Sequence, residues 1–267
     1  MAKKDLGSDR VALAKKQAQA QVRAQERRTA VIWVVIGVVL VALFAALVAY
    51  IVRQSDVAAV GSGDQSTPAV ASENYGFPVG STGVVGEGLD DSRVRVDIYL
   101  DFMCPICGIF EETQGPTLDQ LRADGTADVY YHPVSILDRT SQNTEFSTRS
   151  ASAAALIAQE SPDRFLDFLK AMFANRPEEN TTGLTDAKIQ AIAAAAGVPE
   201  DVVAKIPDHA YSSWVRSATE QASVDGMKGT PTVAINGVMQ DAQANPDDLN
   251  WSAEGALLKF VQDAAGK

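Results

Sequence analysis

Apolar residues are spread unevenly along the 267 residues of this chain. The longest run, Val31 to Val52, holds 22 residues and no charge. At about 1.5 Å per residue a helix of that length spans roughly 33 Å, enough for a hydrocarbon core of about 30 Å. A cleaved signal peptide has a shorter apolar region, about 7–15 residues, and Val57-Ala58-Ala59 matches a cleavage site poorly. The run therefore predicts an uncleaved transmembrane helix at 31–52. Residues 53–82, rich in Gly, Ser, Pro, Asp and Gln, show neither helical nor strand period and predict a flexible linker with a reach on the order of 30 Å.

From residue 83 onward the pattern alternates between strand and helix. Residues 83–88 predict a short edge strand. Arg93 to Leu100 alternates and then becomes continuously apolar, as a central strand does. A helix is predicted from Cys104 to about Ala123, interrupted or kinked at Gly115-Pro116, and 127–134 predict another strand. A helical block follows over about 144–226. Within it Ser161-Pro162 reads as an N-cap with proline at the first helical position, and Gly197 with Pro199 closes an Ala-rich helix at 185–196. Trp214, Phe165, Phe168, Met172 and Phe173 are its predicted core. Thr232–Ile235, the turn Asn236-Gly237 and Val238–Gln240 form a β-hairpin, and a terminal helix covers about 252–264. No internal repeat is visible.

Charge gives this order a direction. Residues 1–30 carry eight Lys and Arg against three Asp and Glu, whereas the whole chain has a net charge of −11. Positive residues stay on the cytoplasmic side, which predicts a basic cytoplasmic tail at 1–30 and an extracytoplasmic domain at 83–267. Its acidity argues against nucleic acid as a partner.

Two cysteines, Cys104 and Cys107, are the only ones in the chain. They sit in Cys104-Pro105-Ile106-Cys107, at the predicted start of a helix. Unpaired N–H groups and the helix dipole favour an anion there, so the Cys104 thiolate is stabilised, making it both attacker and leaving group. Cys107, one turn deeper, is placed to resolve a mixed disulfide. A structural disulfide remains open, although so short a loop constrains little chain entropy. So does a zinc half-site, although only His132 and His209 are available as further nitrogen ligands, and so does a pair of buried thiols without a task. His132, before Pro133 at a strand end, reads as structural, and His209 as a helix-surface residue. Neither a metal nor a cofactor is expected.

Gly229-Thr230-Pro231-Thr232 precedes the last hairpin. Together with Asp101-Phe102-Met103-Cys104-Pro105-Ile106-Cys107 after a strand, and with the helical block between them, it resembles the DsbA-like branch of the thioredoxin superfamily, in the membrane-anchored form of Gram-positive bacteria. The resemblance implies an α/β thioredoxin fold with an inserted helical block, preceded by a single transmembrane helix. It implies Cys104 as nucleophile and Cys107 as resolving cysteine. It implies Pro231 as a cis-proline packed against the disulfide, with Thr230 before it offering backbone pairing to a bound peptide. Pro105 and Ile106 would tune the potential, and Glu111 matches an acidic residue near the active site of some members, or else is a solvated helix-face glutamate. Strong oxidases carry histidine where this chain has Ile106, which implies a milder oxidant. The buried acid of some thioredoxin-like proteins has no clear counterpart; Asp97 and Asp101 are the candidates.

The expected activity is introduction of disulfides into exported proteins with free thiols, with a quinone-linked membrane partner for reoxidation. The alternatives are a tethered reductase or isomerase, and a non-catalytic thioredoxin-fold domain that binds peptides or senses.

Overall fold

The computed structural model of the chain describes residues 66–266 and, before them, Val39, Leu40, Val41 and Phe44, which are helical. The chain divides into two units, Met1–Ser62 and Gly63–Lys267, and every element named below belongs to the second. The predicted tail, most of the predicted transmembrane helix and residues 53–65 of the linker lie outside the described residues. Among those described, no helix is long and apolar enough to cross a membrane.

Five strands form one mixed sheet among the described residues: β1 (Phe77–Val79), β2 (Val94–Leu100), β3 (Ala127–Pro133), β4 (Thr232–Ile235) and β5 (Val238–Met239), in the order β1-β3-β2-β4-β5. β2 and β3 are parallel, from Val94 opposite Ala127 to Leu100 opposite Pro133, and the crossover between them is helix α1 (Pro105–Ala123). β4 lies antiparallel to β2 and turns into β5 at Asn236 and Gly237, whose φ angles of 49° and 81° are both positive, as a type I′ turn requires. Successive side chains of a strand point to opposite faces. Val96, Ile98 and Leu100 of β2 enter the main core, while Tyr99 joins a smaller cluster with Val134, Ala222, Met227 and Ala234.

The edge strand is not at 83–88. It is β1, inside the stretch expected to be linker, and it pairs antiparallel with β3. Phe77 and Val79 are fully buried, each contributing about 2 kcal/mol of apolar burial, so three residues suffice to fix the segment. Residues 83–88 instead make a loop, with Gly83, Gly86 and Gly88 at positive φ and a single bridge from Val85 to Val79.

Between β3 and β4 lie α2 (Phe146–Glu160), α3 (Phe165–Ala174), α4 (Asp186–Ala195), α5 (Glu200–Val203) and α6 (Ser212–Val224); α7 (Ala256–Ala264) ends the fold. The helical block is seated on the sheet by rings: Phe77 lies 5.4 Å from Phe165 and 5.3 Å from Trp214, centroid to centroid, and Phe102 lies 5.0 Å from Phe173. Phe168 and Met172 are fully buried with them. Two local expectations hold only in part. Ser161 is the N-cap and Pro162 the first position, as expected, but of a 3-10 turn, Pro162–Arg164, and the Ser161 side chain makes no cap bond; α3 begins at Phe165. Gly115-Pro116 does not interrupt α1, because Phe110 before it and Leu118 and Leu121 after it are fully buried and hold the helix on both sides.

Candidate active site

β2 ends at Leu100, and residues 101–104 turn the chain into α1. Cys104 is the N-cap of that helix, in extended conformation (φ −73°, ψ 120°), and Pro105 fills the first helical position, where its missing N–H leaves no bond unmade. Cys104 Sγ accepts from the Cys107 amide at 3.4 Å. Both cysteines are free thiols; Cys104 keeps 5% of its surface exposed and Cys107 none. Ile106, between them, is 47% exposed.

Thr230, just before β4, faces the pair. The Cys104 thiol donates to the Thr230 carbonyl at 3.3 Å, and the Thr230–Pro231 peptide is cis. The Thr232 hydroxyl donates to the Gly229 carbonyl at 2.7 Å and closes the turn. Residues 104 and 230 are thus brought together across 126 positions of sequence.

The environment splits the two thiols. The Cys107 thiol most of all, then Thr230 and the amides of Cys107 and Ile106, favour the Cys104 thiolate, the Cys107 amide from 3.4 Å. Against burial, they bring its pKa from an ordinary 9.0 down to about 6. Burial, followed by its bond to Cys104, pushes the Cys107 thiol well above its ordinary value. At neutral pH this arrangement holds one thiolate and one thiol, the pairing that thiol–disulfide exchange needs.

Three buried acids lie on β2, on the turn after it and on α1, the segments that carry this centre. Glu111, one turn beyond Cys107, is not on a solvated face: it is buried, its Oε2 has no partner, and its Oε1 lies so close to Gly115 that a Cβ there would stand 2.9 Å away. Burial, with a smaller contribution from Asp119, pushes its pKa up to about 7 against Lys170 and Arg122. Asp101 is fully buried, and burial pushes its pKa up to about 7 as well, opposed by bonds from Ser147, Met103 and Leu137 and aided by Asp138. Asp97 lies on the other face of β2. Burial acts to raise its pKa, but bonds from His132 (2.8 Å) and Arg95 (2.7 and 2.8 Å) prevail and hold it below the usual carboxylate range. His132 is buried, stacked on Tyr99 at 4.2 Å, and burial holds it neutral. His209 closes the 3-10 turn Ile206–Asp208 at φ 49°, with Nε2 3.2 Å from Asp186, far along the chain from the dithiol. Among the described residues no group of His, Cys, Asp and Glu is arranged to hold a metal.

Two clefts flank the dithiol. One, of about 610 Å³, runs along Gly229, Thr230, Pro231 and Met239 to Trp251; the other, of about 710 Å³, lies between Ile106, Ile109, Thr113 and Trp251. Trp251, whose ring meets Phe110 edge-on at 5.1 Å, borders both. Nothing local to residue 251 announces this position, since the segment before α7 has no period of its own.

A parallel β-α-β unit with a cysteine pair at its helix start and a cis-proline turn opposite defines a thioredoxin-fold dithiol protein. A thioredoxin family model matches residues 81–252, and the chain belongs to that family, in its DsbA-like thiol–disulfide oxidoreductase branch. It is similar to oxidised DsbA of Mycobacterium tuberculosis, at 32% identity and a TM-score of 0.59, over 72% of this chain and 93% of that one. Among curated proteins it matches serine/threonine-protein kinase PknE of M. tuberculosis (strain ATCC 25618 / H37Rv), 27% identical over 174 residues. That match takes in 62% of this chain but only 30% of the kinase. It also matches disulfide bond formation protein D of Bacillus subtilis (strain 168), 23% identical over 172 residues, 64% of this chain and 75% of that protein.

Proposed function

We propose that this protein is a membrane-anchored, extracytoplasmic oxidoreductase that donates the Cys104–Cys107 disulfide to exported proteins with free thiols. The observation that carries the reading is the split dithiol, an N-cap thiol brought down to about 6 beside a fully buried partner pushed up. A sulfur of low pKa is a good leaving group, which favours the reduced enzyme as product.

A substrate thiolate attacks Cys104 Sγ of the disulfide, forming a mixed disulfide while the Cys104–Cys107 bond breaks and Cys107 takes up a proton. The second substrate thiolate then attacks the substrate sulfur of that mixed disulfide, and Cys104 leaves as a thiolate. Two electrons pass from substrate to enzyme. Thr230 and Pro231 border the bound segment, and Thr230 stays beside the departing sulfur. Pro105 sets the helix start and Ile106, uncharged, tempers the potential. The apolar run 31–52 and the basic residues before it support anchoring with the domain outside. A quinone-linked membrane partner would reoxidise the pair. The uncharged Ile106 also favours a second reading, a tethered reductase or isomerase.

Replacing Cys104 by Ser should abolish disulfide formation in a reduced model substrate, and retained activity would overturn the assignment. Cys107→Ser should accumulate mixed disulfides with exported proteins, seen as adducts on non-reducing gels. The native protein should stay in the membrane pellet after alkaline carbonate washing; release into the supernatant would contradict the anchor.

A further inference from the structure

Asp101 stands three residues before Cys104, and of the three hydrogen bonds of its carboxylate one comes from the redox turn itself and two from the lead into the helical block and its first helix. Oδ1 accepts from the Met103 amide at 2.9 Å and from the Ser147 hydroxyl at 2.7 Å, and Oδ2 accepts from the Leu137 amide at 2.9 Å. Its main chain reaches the redox turn: the carbonyl accepts from the Cys104 amide at 3.0 Å, and the Asp101 backbone acts to lower the pKa of Cys107 against its burial. One residue therefore bonds the redox turn with its backbone and with Oδ1, and the helical block with the same side chain.

The other end of this bracket is itself fixed. Asp138 caps the first turn of α2, accepting from the Thr148 amide at 3.0 Å and the Thr148 hydroxyl at 2.6 Å. Thr140 donates to Met103 Sδ at 3.3 Å, so the same short loop holds the turn a second time. Ser147 is fully buried on α2 and lies 46 positions from Asp101 in sequence. An apolar side chain here would spare the desolvation of a carboxylate but would leave the buried Met103 and Leu137 amides without an acceptor. What the carboxylate adds is direction, because it sets where the Met103 and Leu137 amides point relative to the start of α1.

We infer that Asp101 is a positioning residue for the dithiol: through it the lead into the helical block fixes the turn 101–104 and so holds Cys104 Sγ on the amides of α1. The inference rests on the reading of Cys104 as the exchanging sulfur. It makes the insertion part of what tunes that sulfur, rather than a cover over it.

The test uses the reduced full chain, with iodoacetamide alkylation of Cys104 followed against pH and thermal unfolding followed on the same samples. Asp101→Asn keeps the shape but turns an amide NH₂ toward donors, so at least one of the three bonds is lost. Its alkylation midpoint should rise by about one unit, a roughly tenfold loss of thiolate below the midpoint. Ser147→Ala, on a different helix from either cysteine, should shift the midpoint the same way by less. Asp97→Asn should not move it. Two variants that melt earlier at an unchanged midpoint would reduce Asp101 to a folding role and overturn the inference. A lowered midpoint in Asp101→Asn would overturn it too, by showing charge repulsion instead of alignment. If Asp101→Asn does not fold, Ser147→Ala decides alone. Failure of the underlying reading looks different: the wild-type midpoint itself would then lie near the ordinary thiol value, whatever the variants do.

Discussion

Asp97 and Asp101 are four residues apart, the first within β2 and the second just past its end, both essentially without solvent exposure, and their surroundings pull them opposite ways. Asp97 has a cation, Arg95, with His132 and Asn74 as further donors, and stays ionised. Asp101 has only neutral donors, and its pKa is pushed up to about 7. The first closes the sheet face away from the cysteines; the second stands at the dithiol. A buried charge with a cationic partner is a structural device that can be fully satisfied and left alone, whereas a buried acid without one is held by geometry, and its loss is felt where that geometry points.

The sharpest way to break this contrast is Asp97→Ala. It leaves Arg95 and His132 without their acceptor and should destabilise the fold by about 3 kcal/mol, read by denaturant unfolding, while the Cys104 alkylation midpoint stays where it was. A moved midpoint would mean that the two faces of the sheet are coupled.

Cys107→Ala should do the reverse. It removes the largest stabiliser of the Cys104 thiolate, so the midpoint should rise by roughly one unit, with a stability loss of only about 1 kcal/mol for the small buried side chain.

Much of this was readable from local sequence, and the limits are physical. The place of Cys104 and Pro105 at the helix start follows from capping, which involves neighbours only, and the Asn236-Gly237 turn follows from the φ > 0 that both residues tolerate. The thioredoxin fold and its DsbA-like class followed from the motif, the turn before the last hairpin and the helical block between them. β1 was hidden, since Phe77-Pro78-Val79 is too short to show a period and only pairing with β3 makes it a strand. Asp101 was noticed as a buried-acid candidate, but its partners Leu137 and Ser147 lie 36 and 46 positions away, and no local pattern announces them. For Glu111 local sequence leaves an active-site acid and a solvated helix-face glutamate side by side, and its burial shows only once Gly115 is seen to make room for it.

A further effect concerns pH. The Cys104 pKa is lowered on folding from 9.0 to about 6 in the reduced protein. A lowered acid contributes stability that is complete above the unfolded value and lost as pH falls through the folded one. The melting temperature of the reduced form relative to the oxidised form should therefore rise from pH 6 to pH 9. Asp101 and Glu111 are common to both forms and largely cancel in that difference. A flat difference would contradict the thiolate.

The smallest expected change comes from Ile106→His. A cation at this half-exposed position should lower the Cys104 midpoint by about half a unit, since solvent screens it. It should leave unfolding unaltered, and a larger shift would mean that the site is drier than its exposure implies.

The central claim is tested most directly by the reduction potential of the Cys104–Cys107 couple in the full chain, equilibrated in glutathione buffers. A value near about −120 to −180 mV, the range of disulfide donors and isomerases, is the predicted result. A value near about −270 mV, in the range of thioredoxin, would contradict donation and make the protein a tethered reductase. A pair that does not titrate at all would leave a thioredoxin fold that binds without exchanging.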